Sequence, residues 1–197
     1  MRIFAFTDTH GDETVLDRIK EKLETESVDY VLCCGDITNF GHSQEKMISK
    51  IASFPSHTLM IHGNHETPES MMKHCSHYEN ITFLHSSSFR DGDIIFFGYG
   101  GDGFSLKDKR FREISKRFHE DVRPGDRPIL LFHGPPYKLL DETFSGNSGN
   151  KDYREFIDRL SPLKVLCGHI HESAGKKKMV GDTLVANPGP EGMFFDV

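Results

Sequence analysis

Five short apolar runs in this sequence each end within a few residues of side chains that bind metals or move protons. Ile3-Phe4-Ala5-Phe6 leads to Asp8 and His10, Tyr30-Val31-Leu32-Cys33-Cys34 to Asp36, and Thr58-Leu59-Met60-Ile61 to Gly63-Asn64-His65-Glu66. Ile129-Leu130-Leu131-Phe132 leads to His133, and Val165-Leu166-Cys167 to His169 and His171. Runs this short, aliphatic and bounded by glycine read as buried strands. In layered α/β folds ligands collect beyond the carboxyl ends of such strands. The pattern predicts that five strand ends point at one site.

Between the runs, Val15, Leu16, Ile19 and Leu23 recur at helical spacing among charged residues. A second helix is expected over 43–54, with Ser43 as its cap and Pro55 as its stop, and a third behind Thr67-Pro68-Glu69. Strand followed by helix, repeated, argues for a mostly parallel sheet at the start. From Ile81 shorter strands take over, 93–98 being the clearest, and Gly98-Tyr99-Gly100-Gly101-Asp102-Gly103 reads as a loop. Phe104, Phe111, Ile114 and Phe118 then mark one face of a helix whose other face carries Lys107, Lys109, Arg110, Arg112, Lys116 and Arg117. That basic face reads as solvated, with a lid or an acidic-substrate surface as the alternative. A long loop over 134–150 ends at Asn150, a cap for the helix 152–160 and either a phosphate-binding element or a connector. Gly181-Asp182 centres a hairpin whose lysine-rich strand suits an exposed edge.

With 197 residues, 36% of them hydrophobic, the chain supports a single domain over 1–197. No apolar stretch approaches the roughly 20 residues that span a bilayer. The N-terminus enters a strand directly, without a charged leader, so the expected location is cytoplasmic and membrane-free. Cys33, Cys34 and Cys167 fall in buried runs, and no disulfide is expected. A net charge of -6 argues against stable duplex nucleic-acid binding, which needs many lysines and arginines on phosphates. Small phosphate substrates stay open.

Asp8, His10, Asp36, Asn64, His133, His169 and His171 offer imidazole nitrogen, carboxylate and amide oxygen but no thiolate. Such a mixture suits Mn, Fe, Zn, Co or Ni rather than structural zinc or calcium. Seven candidates are too many for one tetrahedral ion and fit two divalent ions, if one carboxylate, naturally Asp36, bridges. Two such ions, two carboxylates and a bridging hydroxide leave a charge of roughly +1, which draws in a phosphate. Paired ions also acidify water and stabilise an in-line displacement at phosphorus. His65, beside a ligand, is placed to protonate the leaving oxygen, with Glu66 or Asp12 to orient it. Asn39 and His42 are candidates for the substrate rim.

In their order, Asp8-Thr9-His10, Gly35-Asp36, Gly63-Asn64-His65-Glu66, His133 and Gly168-His169-Ile170-His171 resemble the calcineurin-like metallophosphoesterase superfamily. His133-Gly134-Pro135-Pro136-Tyr137 and Asn187-Pro188-Gly189 are similar to its small Icc-like members from archaea and bacteria. The resemblance implies a four-layer α-β-β-α sandwich, one ion on Asp8, His10, Asp36 and His171, a second on Asp36, Asn64, His133 and His169, and His65 as the catalytic histidine. It implies a small phosphoester as the substrate, diester before monoester, with the walls of the site built by the chain's own loops or by a homo-oligomer. A protein-interaction scaffold on the same fold is the non-catalytic alternative. His62 departs from the proline that many relatives carry before the Gly-Asn-His turn.

Overall fold

The computed structural model describes every residue of the chain except Asp102, which leaves that position of the expected 98–103 loop outside the described residues. In order the elements are β1 (Arg2–Phe6), α1 (Glu13–Thr25), β2 (Tyr30–Cys33), α2 (Gln44–Ala52), β3 (His57–Met60), α3 (Pro68–Cys75), β4 (Ile81–Phe83), β5 (Ser87–Asp91), β6 (Ile94–Tyr99), α4 (Lys109–Asp121), β7 (Arg127–Phe132), β8 (Glu142–Thr143), β9 (Gly146–Asn147), α5 (Lys151–Leu160), β10 (Lys164–Leu166), a short 3-10 turn (His171–Ser173), β11 (Lys177–Val180), β12 (Thr183–Ala186) and β13 (Met193–Asp196). One sheet runs β13-β1-β2-β3-β4 and the other β11-β12-β10-β7-β6-β5. Inner strands are parallel, and β13, β5 and β11 close edges antiparallel.

Side chains alternate across a strand, and here the alternation divides the apolar residues into three layers. Phe4, Phe6, Val31, Cys33 and Met60 pack beneath α1, α2 and α3. Ile3, Ala5, Leu32, Leu59, Ile61, Phe96, Ile129, Leu131 and Leu166 fill the space between the sheets. Ile95, Phe97, Leu130, Phe132 and Val165 meet Phe111, Phe118, Tyr153 and Phe156 of α4 and α5. Three apolar layers define four structural ones, an α-β-β-α sandwich. The last strands serve both sheets, since β12 pairs with β10 and β13 with β1. All four cysteines are free and buried.

Local signals decide most of the helix ends. Asp12 caps α1 by accepting from Thr14 and Val15 N–H, Thr67 accepts from Ser70 N–H ahead of Pro68, and Asn150 accepts from Asp152 and Tyr153 N–H. Two expectations are corrected. Ser43 stands at the start of α2 with φ 58, a left-handed conformation in which its hydroxyl makes no cap hydrogen bond. Phe104 is not on a helix, because Asp108 accepts from Phe111 N–H and starts α4 only at Lys109. The strand before that loop also runs further than expected, to buried Tyr99, whose hydroxyl donates to Asp108 Oδ2 at 2.7 Å. The lysines of β11 lie on a sheet edge, as expected.

Candidate metal centre

The five strand ends converge. Asp8 follows β1, Asp36 follows β2 and Asn64 follows β3 of one sheet, while His133 follows β7 and His169 and His171 follow β10 of the other. The loops are stitched together by backbone bonds, Asp8 N–H to Gly35 O at 3.0 Å, His10 N–H to Asp36 O at 3.0 Å and Gly168 N–H to His133 O at 2.8 Å. Asp8, His10, Asp36 and His169 all sit at positive φ, between 46° and 68°. Such conformations cost energy for non-glycine residues and persist where the surroundings over-determine them. The glycines beside them explain how the loops come so close: a Cβ on Gly63 would stand 1.9 Å from Asp36 Oδ1, and one on Gly168 would stand 2.2 Å from Thr7 Oγ1.

Three groups of ligand atoms lie within 4.8 Å of one another: Asp8, His10 and His171; His10, Asp36 and His65; and Asp36, His133 and His169. Asn64 Oδ1 lies 2.9 Å from His133 Nε2, so every candidate ligand read from the sequence reaches the same place. The Nε2 atoms of His10 and His171 approach to 3.0 Å. Buried His169 Nε2 and His10 Nδ1 have no hydrogen-bond partner among the described residues. Convergent imidazoles around two buried carboxylates, with ring nitrogens left over, are a donor set that a pair of divalent cations would complete.

Electrostatics point the same way. Burial alone lowers a histidine pKa, but the hydrogen bond and charge of Asp36, aided by Asp8, carry His133 up to about 9. Burial raises Asp36, and His133 overrides it to leave the carboxylate at about 2. Burial is also the first cause of the raised Asp8, with neighbouring Asp36 adding to it. Asp36 and Asp8 thus favour the protonated form of His133 against its burial. Among the described residues His169 has no such close carboxylate bond, and burial followed by His133 pushes it down to about 4.

His65 stands beside this group, with Nε2 3.9 Å from Asp36 Oδ2 and Nδ1 accepting from Phe40 N–H at 3.3 Å. Neither expected orienting carboxylate reaches it. Asp12 caps α1, and buried Glu66 accepts from Asp36 N–H, Thr38 N–H, Thr38 Oγ1 and Gly63 N–H. Glu66 thus ties the loop after β2 to the loop after β3. Asn187 has a similar duty on the other side: its Nδ2 donates to Ile170 O at 3.1 Å, its Oδ1 accepts from Gly189 N–H, and Gly189 O receives Thr7 N–H.

A cavity of about 410 Å³ opens over the centre, lined by His10, Asp36, Asn39, Asn64, His65, Phe104, His169 and His171. Asn39 is on its wall with Nδ2 donating to His10 O, whereas His42 lies exposed in the same loop and is not among the lining residues. His62 is buried, gives its Nδ1 to Gly63 O at 2.8 Å and packs against His85 behind the site. Two aromatic residues against the site histidines, Phe104 on the cavity wall and Phe40 outside its lining, escaped sequence reasoning. The Phe40 ring stacks on His65 at 4.2 Å and the Phe104 ring meets His169 edge-on at 4.2 Å. The available signal was a bulky aromatic embedded in a glycine-rich segment, as in Asn39-Phe40-Gly41 and Gly103-Phe104.

A two-sheet sandwich with a histidine and aspartate cluster at its strand ends has the frame of a metal-dependent hydrolase. The chain matches the calcineurin-like phosphoesterase family over residues 1–173 and belongs to it. It is a metal-dependent phosphoric ester hydrolase of a family built around a dinuclear metal centre. Among its relatives is the uncharacterized protein MJ1162 of Methanocaldococcus jannaschii, 30% identical over 206 residues that cover 98% of this chain and 90% of that one. The solved structure of TT1561 from Thermus thermophilus superposes with a TM-score of 0.80 at 16% identity, covering 96% of this chain and 90% of the other. A dimetal phosphatase from Danio rerio shares the fold with a TM-score of 0.66 at 10% identity, over 94% and 86% of the two chains. No helix among the described residues is long and apolar enough to cross a membrane.

Proposed function

We propose that the chain hydrolyses small phosphodiesters, of cyclic-nucleotide or short nucleic-acid type, as a single domain over residues 1–197. The observation that carries the diester reading is the cavity wall, which contains neither lysine nor arginine among its lining residues. A phosphomonoester carries a charge of about −1.5 to −2 near neutral pH, more than a diester, and beyond the two ions the wall offers no cationic side chain to meet the extra charge. A diester monoanion needs less. The single-domain reading is supported by β12 and β13, which lie beyond the family match yet complete both sheets. Buried free cysteines fit a reducing, cytoplasmic setting.

In this reading Asp8, His10, Asp36 and His171 hold one ion and Asp36, Asn64, His133 and His169 the other, the metals being drawn from Mn, Fe, Zn, Ni or Co. Bound there, the ions supply an acidified water as nucleophile and a grip on the nonbridging phosphate oxygens. His65 supplies the leaving oxygen with a proton. Because its Nδ1 accepts from Phe40 N–H, the neutral ring carries its proton on Nε2, the nitrogen nearer Asp36. Asn39 steadies substrate at the rim, with His42 further out. Glu66 and Asn187 keep the loops in register, and Phe104 shields His169 from water.

The test is hydrolysis of bis(4-nitrophenyl) phosphate and 4-nitrophenyl phosphate by metal-stripped protein resupplied with each metal, with His65→Ala alongside. The expected result is metal-restored cleavage that favours the diester, with turnover lowered on the order of 100-fold or more in a variant that retains its metal. Faster monoester cleavage would replace the diester reading by a phosphomonoesterase. Folded, metal-loaded protein that cleaves neither ester would leave the scaffold reading.

A further inference from the structure

Most of the 16 phenylalanines in the chain are in the core, but among the described residues Phe40, Phe104 and Phe144 are exposed, the first two at 77% and 65%. Those two share a location. The ring contacts of Phe40 and Phe104 are made to histidines of the site, one to His65 and the other to His169, rather than to any core layer. Leaving a phenyl ring in water forgoes about 1.5–3 kcal/mol of burial. Both rings are nonetheless held in place.

The segment that carries Phe104 is pinned at several points. Asn150 Nδ2 donates to Ser105 O at 2.8 Å, Lys151 N–H donates to Leu106 O at 2.9 Å, and Asp108 N–H donates to Asp152 Oδ2 at 2.6 Å. Gly103 presses so close that a Cβ there would stand 2.0 Å from the His169 ring. Phe40 has φ 50, an uncommon conformation for a bulky residue, and its ring lies within 25° of parallel to His65. His65 and His169 belong to different ligand groups that share Asp36, so the two phenyl rings mark two sides of the reacting centre.

We propose that Phe104, with Phe40 on the other side, forms a stacking subsite for a planar group on the ester that stays with phosphorus, a nucleobase on the side away from the leaving group. The inference rests on the phosphodiester reading and gives it a substrate class. An exposed ring on a rigid segment at the cavity wall offers a flat apolar face at little ordering cost. Planar rings stack on such faces regardless of base identity. The subsite therefore selects for an aromatic substituent without selecting a particular base.

The experiment compares two diesters with the same leaving group, thymidine 5′-(4-nitrophenyl phosphate) and ethyl 4-nitrophenyl phosphate, so that chemical reactivity cancels. The wild-type ratio of kcat/KM should favour the nucleoside ester by about tenfold or more, within the range of base–aromatic stacking. Phe104→Ala and Phe104→Leu should bring that ratio close to one, and Phe104→Trp should restore it. Leucine is the deciding variant because it keeps apolar cover on His169 but has no flat face. Binding of thymidine 5′-monophosphate against methyl phosphate, followed by calorimetry with the same proteins, gives a readout independent of turnover. If neither diester is cleaved, the phosphodiester reading fails while the binding ratio still decides the subsite. Equal binding of the two phosphates, or a preference that survives Phe104→Leu, would overturn the inference.

Discussion

His133 and His85 are both imidazoles withdrawn from water, one after β7 and the other bridged to its neighbour β6, yet their proton affinities move in opposite directions. Burial works against the charged form in both. At His133 the hydrogen bond and charge of Asp36, with Asp8 behind, reverse that effect and bring the pKa up to about 9. At His85 burial is reinforced by His62 and Arg110, and the pKa falls to about 4. The difference is the company each ring keeps. Among the described residues the carboxylates converge at the strand ends beside His133, whereas half-buried His85 is a structural base whose Nδ1 accepts from Gly100 N–H.

The largest effect should come from removing the source of the contrast. Asp36 belongs to two of the three ligand groups, so Asp36→Asn is expected to lower turnover on the order of 1000-fold and to strip bound metal. In the metal-free variant His133 should behave like His85, losing its proton by neutral pH. Imidazole resonances followed by NMR against pH, with metal analysis, check both points. A His133 still charged at neutral pH would break the comparison. Next in size is Glu66→Ala, which leaves three buried N–H groups and the Thr38 hydroxyl without an acceptor. The expected cost is about 3 kcal/mol, read from denaturant unfolding, since each orphaned donor costs about 1–3 kcal/mol before relaxation.

The contrast also predicts how metal enters. A ligating imidazole must be neutral, whereas metal-free His133 is protonated up to about pH 9. Metal uptake below that pH releases a proton, and apparent affinity should rise by up to about tenfold per pH unit until it levels above about 9. Calorimetry in buffers of different ionisation heat counts the protons. Uptake without proton release at neutral pH would show that His133 is not charged beforehand.

Strands and the placing of the candidate ligands at their ends were legible because both rest on local rules. Short aliphatic runs bounded by glycine marked the strands and polar residues directly after them fell at the strand ends, while the division of Ile3 from Phe4 and Leu131 from Phe132 into separate layers emerged only with the fold. What could not be seen depends on partners distant in sequence. Phe104 lies seven positions before Phe111, a helical spacing that places it on α4, but Asp108 caps the helix later and the loop is bonded to Ser105 and Leu106 from residues 150 and 151. Glu66 neighbours His65 in sequence and yet serves backbone groups at residues 36 and 38. Ser43 has the chemistry of a cap, and its left-handed backbone turns that chemistry away.

The smallest effect expected belongs to His85, and its sign follows from the depressed pKa. In the folded chain the ring titrates at about 4 rather than its ordinary 6.5, so at intermediate pH the unfolded chain binds the extra proton. Stability from the neutral ring is complete above pH 6.5 and is lost progressively as pH falls toward about 4. The ring is half-buried, so solvent screening reduces the effect to about 1 kcal/mol. His85→Asn keeps an acceptor near Gly100 N–H and removes the titration. Unfolding midpoints of metal-free wild type and variant, measured at pH about 7.5 and about 5, should converge as pH falls, because only the wild type has this proton to take up. A constant gap between them would mean that His85 is as accessible to protons in the fold as in the unfolded chain, and the opposition between His133 and His85 would then reduce to the carboxylates around His133 alone.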